Sequence, residues 1–268
     1  MDRQKAIGVV GGVGPYAGLD LVRKIFDQTV ASSDQDHLPV FLISLPADIE
    51  DRTEFLLRNS GKNPGHSISS ILKKLEAAGA SVAGIPCNTA HAPQIYSVVV
   101  QDLAARKSNL KLLSLIDETI GVIQSRRPKP GRVGILSTTG TRKTKIYRDP
   151  LEQNGFQVVE PPDDAQADLI QDAIYNRSYG IKAQSNPVTE RARGQVMKGL
   201  DLLVHQNVDV IILGCTELPL AVPEPWFKGI QLIDPSTLLA RSLIMEIDPS
   251  KLKHGANERA HSPEFSPL

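Results

Sequence analysis

Short apolar runs alternate along the chain with longer segments whose apolar positions recur at helical spacing. The short runs predict strands and the longer segments predict helices. The predicted strands are Ala6–Val10, Val40–Leu45, Ser81–Ile85, Lys111–Leu115, Arg132–Leu136, Phe156–Val159, Val210–Leu213 and Gln231–Ile233. The predicted helices are Tyr16–Ala31, Ser67–Ala78, Pro93–Lys107, Thr141–Asn154, Asp163–Asn176, Thr189–His205 and Pro235–Met245. This alternation predicts an α/β protein with parallel-rich sheets covered on both faces.

The two halves of the chain repeat this order. Gly8 lies in a strand-like segment and precedes Cys87 by 79 positions, and Gly134 precedes Cys215 by 81. We interpret this as a structural duplication, with two similar doubly wound domains, a pseudo-twofold relation and an active site in the cleft between them. The alternative is that any doubly wound protein contains similar strand–turn–helix units.

The domain boundaries follow from the residues that break regular structure. Two prolines and a glycine in the segment 126–131 predict a connection between the halves. We expect the first domain to comprise 1–116 and about 227–250, and the second about 117–226. Residues 251–268 are polar and carry two prolines, so we expect a tail that is disordered or tied to a partner.

The charge balance limits the classes of partner. Thirty basic and thirty acidic side chains cancel in 268 residues, so the chain has no overall field for nucleic acid or an anionic membrane. No apolar run has the length that crosses a bilayer. The only two cysteines are far apart in sequence and make no disulfide framework. We therefore expect a cytoplasmic protein whose thiols stay reduced.

Those two cysteines, Cys87 and Cys215, occupy matching positions. Each follows a predicted buried strand and precedes polar residues that could start a helix. Open α/β sheets bind ligands at the carboxyl ends of their strands, and a helix amino terminus favours thiolate over thiol. Asn88 or Thr89 could cap one such helix and Thr216 the other. The pair suggests an acid and a base of the same kind, in one active site.

Other uses of the thiols remain open at this point. Either cysteine could be an inert buried hydrophobe. A disulfide between them would remove both reactive groups. Metal binding could recruit Cys87, His91 and Cys215, but no close spacing supplies the fourth ligand of a structural zinc site. We expect no metal.

A glycine-rich turn follows the first strand. Residues 8–15 lack the G-x-G-x-x-G spacing of a dinucleotide loop, because Ala17 stands where the last glycine belongs. The turn could let a substrate approach the backbone, with Gly12 as the candidate contact, or serve packing alone. The polar turn 138–141 occupies the equivalent place in the second half and makes Thr138 a second candidate contact.

Two motifs carry a family resemblance. Pro86-Cys87-Asn88-Thr89-Ala90-His91 and Leu213-Gly214-Cys215-Thr216-Glu217-Leu218 resemble the two signatures of the cofactor-independent aspartate/glutamate racemases. The segments 11–15, 34–39 and 51–53 add to the resemblance, which runs from about Ile7 to Ser242. More narrowly, the chain is similar to the aspartate racemases of that family.

The resemblance implies interconversion of L- and D-aspartate without pyridoxal phosphate or another cofactor. One cysteine thiolate would remove the Cα hydrogen, and the other, as a thiol, would protonate the opposite face. The family also implies a homodimer and two carboxylate-binding cations, which here are Arg52 and Lys182. The alternatives are a glutamate or broad-specificity racemase, a non-catalytic acidic amino-acid-binding protein, and a single-thiol decarboxylase or isomerase.

Racemisation without pyridoxal must stabilise negative charge that develops on the α-carboxylate. Backbone amides and the side chains of Asn88, Thr89 and Thr216 are candidates for this task. His91 is a candidate for orienting a group of the first turn, with a purely structural histidine as the alternative. Glu217 is a candidate either for positioning Cys215 or for capping its helix.

Overall fold

The computed structural model describes residues 5–58 and 61–254. The strands are β1 Ala6–Gly11, β2 Val40–Ser44, β3 Ala80–Gly84, β4 Lys111–Leu113, β5 Arg132–Ser137, β6 Gln157–Val159, β7 Val210–Gly214, β8 Trp226–Phe227 and β9 Ile230–Ile233. Each predicted strand is present within one or two residues of its expected bounds. The two-residue strand β8 is an addition, because a run this short has no sequence period.

The helices are α1 Pro15–Gln28, α2 Arg52–Arg58, α3 Pro64–Ala78, α4 Pro93–Ala105, α5 Leu115–Ser125, α6 Thr139–Lys143, α7 Arg148–Gln153, α8 Asp163–Ala165, α9 Asp172–Tyr175, α10 Glu190–His205, α11 Leu218–Ala221 and α12 Pro235–Ile247. A π-helical turn, Gln166–Gln171, joins α8 to α9. The helix predicted over Thr141–Asn154 is wrong as one element. It is broken between α6 and α7, where Lys145 adopts φ 54°, a value that an α-helix excludes.

The two sheets repeat one strand order. The first is β2-β1-β3-β4, and the second is β6-β5-β7-β9 with β8 added antiparallel at its edge. All other pairings are parallel. In this order β1 corresponds to β5 and β3 to β7. The two cysteines therefore follow equivalent strands of a repeated α/β unit, as the duplication predicts.

The apolar core is continuous across the two sheets. One cluster joins β1 residues such as Ile7 to β5 and β7 residues such as Ile135 and Ile212, through the buried faces of α5 and α12. Each sheet also packs a further apolar cluster of its own on its other face. The sheets are thus fixed relative to each other by shared packing, which positions the loops at their carboxyl ends.

The segment expected to return to the first domain is divided. Its strand, β9, pairs with β7 and belongs to the second sheet, whereas its helix, α12, packs against α1 and α5. The boundary predicted at about 227 is therefore too early for this strand. The physical reason is that β7 offers an open edge to β9. With β9 in place, the second sheet has the same four-strand order as the first. The rest of the domain division stays a prediction.

The start of the predicted tail is part of the fold. The backbone amide of Lys253 donates to the carbonyl of Gln28 at 2.9 Å, and that of Val30 donates to Lys251 at 2.7 Å. Leu252 also forms a bridge with Thr29. Residues 251–253 therefore pair with the chain at the end of α1, whereas we expected a tail that is disordered or tied to a partner. The remainder of that predicted tail, 255–268, lies outside the described residues.

Candidate active site

A small cavity lies between the carboxyl ends of the two sheets. Both halves of the chain line it, and the lining residues are Arg52, Cys87, Asn88, Thr89, Thr138, Tyr175, Lys182, Cys215, Thr216 and Glu217. The space open to the centres of water molecules is about 10 Å³, which is room for about one water. The cavity brings together nine of the eleven candidate residues, Gly12 and His91 being the two exceptions.

Hydrogen bonds of its backbone amide and carbonyl fix the position of Cys87. Its amide donates to the carbonyl of Ile85 at 2.8 Å, directly beyond the end of β3. Its carbonyl lies 2.8 Å from Nδ1 of His91, and Nε2 of His91 accepts from the amide of Leu115 at 3.2 Å. Since Nε2 accepts, Nδ1 carries the proton and donates to Cys87. Burial lowers the pKa of His91 to about 4, so this histidine stays neutral while it fixes the Cys87 loop.

A helical element follows each thiol, as expected, but neither is a long α-helix that begins at the cysteine. Cys87 is followed by a 3-10 turn, Thr89–His91, and α4 begins only at Pro93. After Cys215 the helix α11 has four residues, and its N-cap is Glu217. In the short turns at both sites, backbone amides donate to nearby carbonyls, from His91 to Asn88 and from Leu218 to Cys215. A helix dipole therefore contributes little at either sulfur atom, and charged side chains take its place.

Arg52 is the charged neighbour of Cys87. It begins α2, is 6% exposed, and donates to the carbonyls of Val13 and Glu50 at 2.5 and 3.2 Å. Burial opposes its charge, but the nearby negative charges of Cys87 and Asp51 raise the pKa of Arg52 above its usual range. Its Nε is buried and has no partner. The guanidinium is thus a permanent cation beside one sulfur atom.

Cys215 has a carboxylate beside it instead. Its Sγ donates to Oε2 of Glu217 at 3.0 Å. Burial raises the pKa of Cys215 well above its usual range, and the negative charge of Glu217 raises it further. The hydroxyl of Thr216 lies 3.3 Å from the same oxygen. This environment keeps Cys215 in the thiol form.

Glu217 is itself paired with Lys182. The Nζ of Lys182 lies 3.2 Å from Oε1 of Glu217, and the two side chains are 23% and 6% exposed. Burial would raise the pKa of Glu217, but the charge of Lys182 and the hydrogen bonds from Lys182 and Cys215 lower it. Conversely, burial opposes the charge of Lys182, and Glu217 raises the pKa of Lys182. Both groups are therefore charged, and Lys182 is already neutralised by a partner.

Four hydroxyl groups join the halves across the cavity. Oγ1 of Thr89 lies 3.0 Å from that of Thr138 and 2.9 Å from that of Thr141. The hydroxyl of Thr216 donates to the carbonyl of Pro86 at 3.0 Å. The helix-capping roles considered for Thr89 and Thr216 are wrong, because both hydroxyls bond across the cleft. Thr138 does cap α6, accepting from the amide of Thr141 at 3.2 Å.

In the glycine turn, Gly14 affects the site, whereas Gly12 was the expected contact. Gly12 has φ 80°, and a Cβ there would lie 2.8 Å from the backbone nitrogen of Pro46. It therefore serves packing between β1 and the segment after β2, and it does not line the cavity. Gly14 has φ 152°, and a Cβ there would collide with Oε1 of Glu217. The turn thus makes room for the carboxylate of the other half.

Two tyrosines at the site were absent from the sequence-based candidates. Tyr175 lines the cavity, and its hydroxyl donates to Asp51 at 3.2 Å and lies 3.1 Å from Oγ1 of Thr53. Tyr147 donates to Oδ1 of Asn88 at 2.5 Å. Neither tyrosine adjoins a cysteine motif, and a single tyrosine in a helical pattern has no signal that separates it from a core residue.

Within residues 5–58 and 61–254, no group of three or more histidine, cysteine, aspartate or glutamate side chains is placed to hold a metal ion. None of the helices in these ranges is long and apolar enough to cross a membrane.

Comparison with known proteins agrees with the fold and with the motifs. The Picrophilus torridus aspartate racemase structure superposes with a TM-score of 0.75 at 29% identity, covering 93% of this chain and 96% of that one. A broad specificity amino-acid racemase of Bacillus subtilis, RacX, is 28% identical over 89% of this chain and 96% of its own length. A glutamate racemase of a Synechococcus strain is 27% identical over 61% of this chain and 55% of its own.

The family profile covers most of the chain. The Asp/Glu/Hydantoin racemase profile matches residues 10–243, close to the range from Ile7 to Ser242 over which the motifs resemble that family. The superposition also confirms the expected two-domain α/β class. The chain belongs to the Asp/Glu/Hydantoin racemase family.

Proposed function

We propose that the protein interconverts L- and D-aspartate by proton transfer between Cα and two cysteines, without a cofactor. The observation that carries this proposal is that Cys87 and Cys215 follow equivalent strands of the two sheets and line one cavity. The enantiomers present their Cα hydrogens on opposite sides. Two thiols contributed by the two halves of the chain would supply what racemisation needs, a base on one face and an acid on the other.

The surroundings of the two sulfur atoms suit different roles. Arg52 places a cation beside Cys87, which suits the sulfur atom that carries negative charge as the base. Glu217 accepts a hydrogen bond from Cys215, which favours a thiol there. In the resting enzyme Cys87 is then the base and Cys215 the acid. One turnover moves a proton onto Cys87 and takes one from Cys215, so the reverse reaction starts from the exchanged forms.

The substrate preference follows from charge and space. Arg52 is the cation left for a substrate carboxylate, because Glu217 neutralises Lys182. The buried Nε of Arg52, which has no partner, could donate to that carboxylate. A cavity with room for about one water must open for any amino acid. The smaller rearrangement needed for the shorter side chain supports aspartate over glutamate.

The first experiment replaces each cysteine. Cys87→Ala and Cys215→Ala should each lower racemisation of both aspartate enantiomers by about 10³-fold or more, since each removes one of two essential proton carriers. Chiral chromatography measures the product, and thermal unfolding checks the fold. Ser69→Ala is the control, because Ser69 is a small buried side chain of α3 outside the cavity. Full activity in either cysteine variant contradicts the proposal.

The second experiment tests the acidic substrate. Arg52→Gln should chiefly lower kcat/KM for aspartate, by about 10²-fold, because a buried carboxylate would lose its cation. Arg58→Gln on the same helix is the control, since that side chain is 74% exposed. Equal turnover of alanine and aspartate by the unaltered protein would contradict the assignment and support a broad-specificity racemase.

Two further expectations complete the proposal, a homodimer, which the family implies, and a cytoplasmic location, which the sequence suggests. We expect a homodimer, which sedimentation equilibrium would test by giving twice the chain mass. We also expect a cytoplasmic enzyme, consistent with two free cysteines at the site. A monomer at micromolar concentration would contradict the first expectation, and detection of the enzyme in a cell-surface fraction would contradict the second.

A further inference from the structure

A buried hydrogen bond connects the second half of the chain to the Cys87 loop. The hydroxyl of Tyr147 donates to Oδ1 of Asn88 at 2.5 Å. Tyr147 and Asn88 are each 2% exposed. Tyr147 lies in the break between α6 and α7, and Asn88 directly follows Cys87. A side chain distant in sequence therefore fixes the residue next to a proposed catalytic thiol.

The position of the tyrosine hydroxyl is set by packing. The ring belongs to the apolar cluster shared by the two sheets, together with Ile146 and Leu151. The chain reaches this cluster through Lys145, whose φ of 54° ends the preceding helical turn. Burial raises the pKa of Tyr147 above its usual range, so the hydroxyl keeps its proton. A buried phenol that keeps its proton needs an acceptor, and Oδ1 of Asn88 provides it.

This hydrogen bond determines which end of the amide faces the cavity. With Oδ1 bound to Tyr147, the other end of Asn88 is Nδ2, which is buried and has no partner. Asn88 lines the cavity with both cysteines. A buried donor without a partner is costly, and here it lies where a ligand oxygen would satisfy it. With the amide rotated by 180°, a carbonyl oxygen would face the cavity and repel a carboxylate.

We propose that Tyr147 is a positioning residue, which holds the Asn88 amide so that Nδ2 donates to a carboxylate oxygen of the substrate. This inference rests on the proposed racemase function, because the carboxylate is that of the amino acid. As the Cα hydrogen leaves, negative charge grows on the α-carboxylate, and a fixed donor stabilises it more than it stabilises the substrate. The loss of orientation should therefore lower kcat more than it raises KM.

The test is a double-mutant cycle on the complete protein. Asn88→Ala should lower kcat for aspartate by about 10²-fold, as the loss of one oriented donor does. Tyr147→Phe removes only the hydroxyl and should lower kcat by about 10-fold with little change in KM, since a freed amide still donates part of the time. Tyr147→Phe combined with Asn88→Ala should be no worse than Asn88→Ala alone.

Two outcomes of the cycle would overturn the proposal. One is full kcat in a folded Tyr147→Phe variant. The other is an additive loss in the double variant, which would mean that Tyr147 acts by a route other than Asn88. Tyr96→Phe is the matched control, because Tyr96 is a partly buried tyrosine whose ring stacks on His91. Its kcat should equal that of the unaltered protein.

A spectroscopic measurement separates this inference from the proposed function. In protein labelled with ¹⁵N-asparagine, the Asn88 side-chain amide pair is assigned by its loss in Asn88→Ala. We expect one sharp pair in the unaltered protein and a shifted or broadened pair in Tyr147→Phe. An unchanged pair overturns the positioning role whether or not aspartate racemises. Absence of racemisation by the unaltered protein, with a pair that responds to Tyr147→Phe, overturns the proposed function instead.

A second variant covers the case in which Tyr147→Phe does not fold. Asn88→Asp keeps the shape and the acceptor for Tyr147, but it replaces the donor that faces the cavity with an oxygen. We expect kcat to fall at least as far as in Asn88→Ala, because the oxygen would repel the substrate carboxylate. Full activity in Asn88→Asp would show that no donor is needed at this position and would overturn the proposal.

Discussion

The two cysteines stand on equivalent backbone and in opposite electrostatic surroundings. Cys87 follows β3 and Cys215 follows β7, which occupy the same place in the strand order of their sheets. The charged neighbour of Cys87 is a guanidinium, whereas that of Cys215 is a carboxylate at 3.0 Å. A repeated fold thus supplies symmetrical placement, and a few side chains remove the symmetry of charge.

Backbone and side chains therefore have different roles at this site. The backbone places the two sulfur atoms, and the neighbouring side chains set the charge around each. Placement on equivalent strand ends puts two sulfur atoms on one cavity, which suits a symmetrical reaction. In the proposed mechanism one sulfur atom starts as the base and the other as the acid, and a cation beside Cys87 and a carboxylate beside Cys215 suit these two roles. Two identical surroundings would leave both thiols in the same form at most pH values. The asymmetry is therefore the feature of the site that variants should test.

Removal of the carboxylate should have the largest effect on this asymmetry. Glu217→Gln keeps the side-chain length but removes the negative charge, so the pKa of Cys215 should fall, with Lys182 left unpaired nearby. An ionised Cys215 cannot deliver a proton. We expect about 10²-fold lower kcat/KM at pH 9 and an alkaline limb that moves to lower pH by about one unit or more.

A pH–rate profile of kcat/KM makes this measurement. Glu246→Gln is the control, because that carboxylate pairs with Lys111 on the surface away from the cavity. A Glu217→Gln profile that superposes on that of the unaltered protein would show that Glu217 does not control the proton of Cys215.

A methyl group in the glycine turn should have the next largest effect. Gly14→Ala places a Cβ against Oε1 of Glu217 at φ 152°, where a side chain is also strained. We expect about 10-fold lower activity, since the Glu217–Lys182 pair must shift, and about 1–3 kcal/mol lower free energy of unfolding. Enzyme assays and denaturant titration measure the two effects.

Gly194→Ala is the matched glycine replacement. Gly194 lies inside α10, and a Cβ there would meet no atom within 4 Å. This variant should keep full activity and gain about 0.5–1 kcal/mol of stability, because alanine favours the helix. If Gly14→Ala behaves like Gly194→Ala, the turn does not shape the Cys215 side of the site.

The histidine on the Cys87 side should have the smallest effect, confined to stability. Its folded pKa of about 4 is below the unfolded value of about 6.5, so only the unfolded chain binds this proton between those values. Stability from His91 is therefore lost as pH falls from about 6.5 to 4, at up to about 1.4 kcal/mol per unit. His91→Gln should reduce this slope in denaturant titrations.

The control for this slope is a replacement that changes no titratable group. Ser69→Ala, at a buried side chain of α3, should leave the pH dependence of the free energy of unfolding unchanged. An unaltered slope in His91→Gln would contradict the view that a neutral histidine fixes the Cys87 loop.

The features that could be predicted from the sequence are those that depend on the period of apolar residues and on the spacing of motifs. Alternating apolar runs located the strands, and the matched distances from Gly8 to Cys87 and from Gly134 to Cys215 predicted the repeated unit. The two cysteine motifs also led to the family. These features are local or periodic, so they can be recognised without knowing which segments meet in space.

The features that the sequence did not provide are contacts between distant segments. Tyr147 meets Asn88 across 59 positions, and Thr89 meets Thr141 across 52. The caps expected at Asn88, Thr89 and Thr216 were wrong because bonds across the cleft replaced local ones. The carboxylate beside Cys215 was visible in the motif, but its pairing with Lys182 depends on how the second half folds.

The most direct test of two thiols on opposite faces is the fate of solvent deuterium in initial turnover. L-aspartate and the unaltered protein are incubated in D₂O, and Cα deuterium is measured separately in the D-product and in the recovered L-substrate. Two bases predict deuterium at Cα of nearly all product molecules and almost none in the recovered substrate, and the same with D-aspartate as the substrate. Comparable deuterium in both enantiomers from the start would indicate one base that serves both faces and would contradict the account.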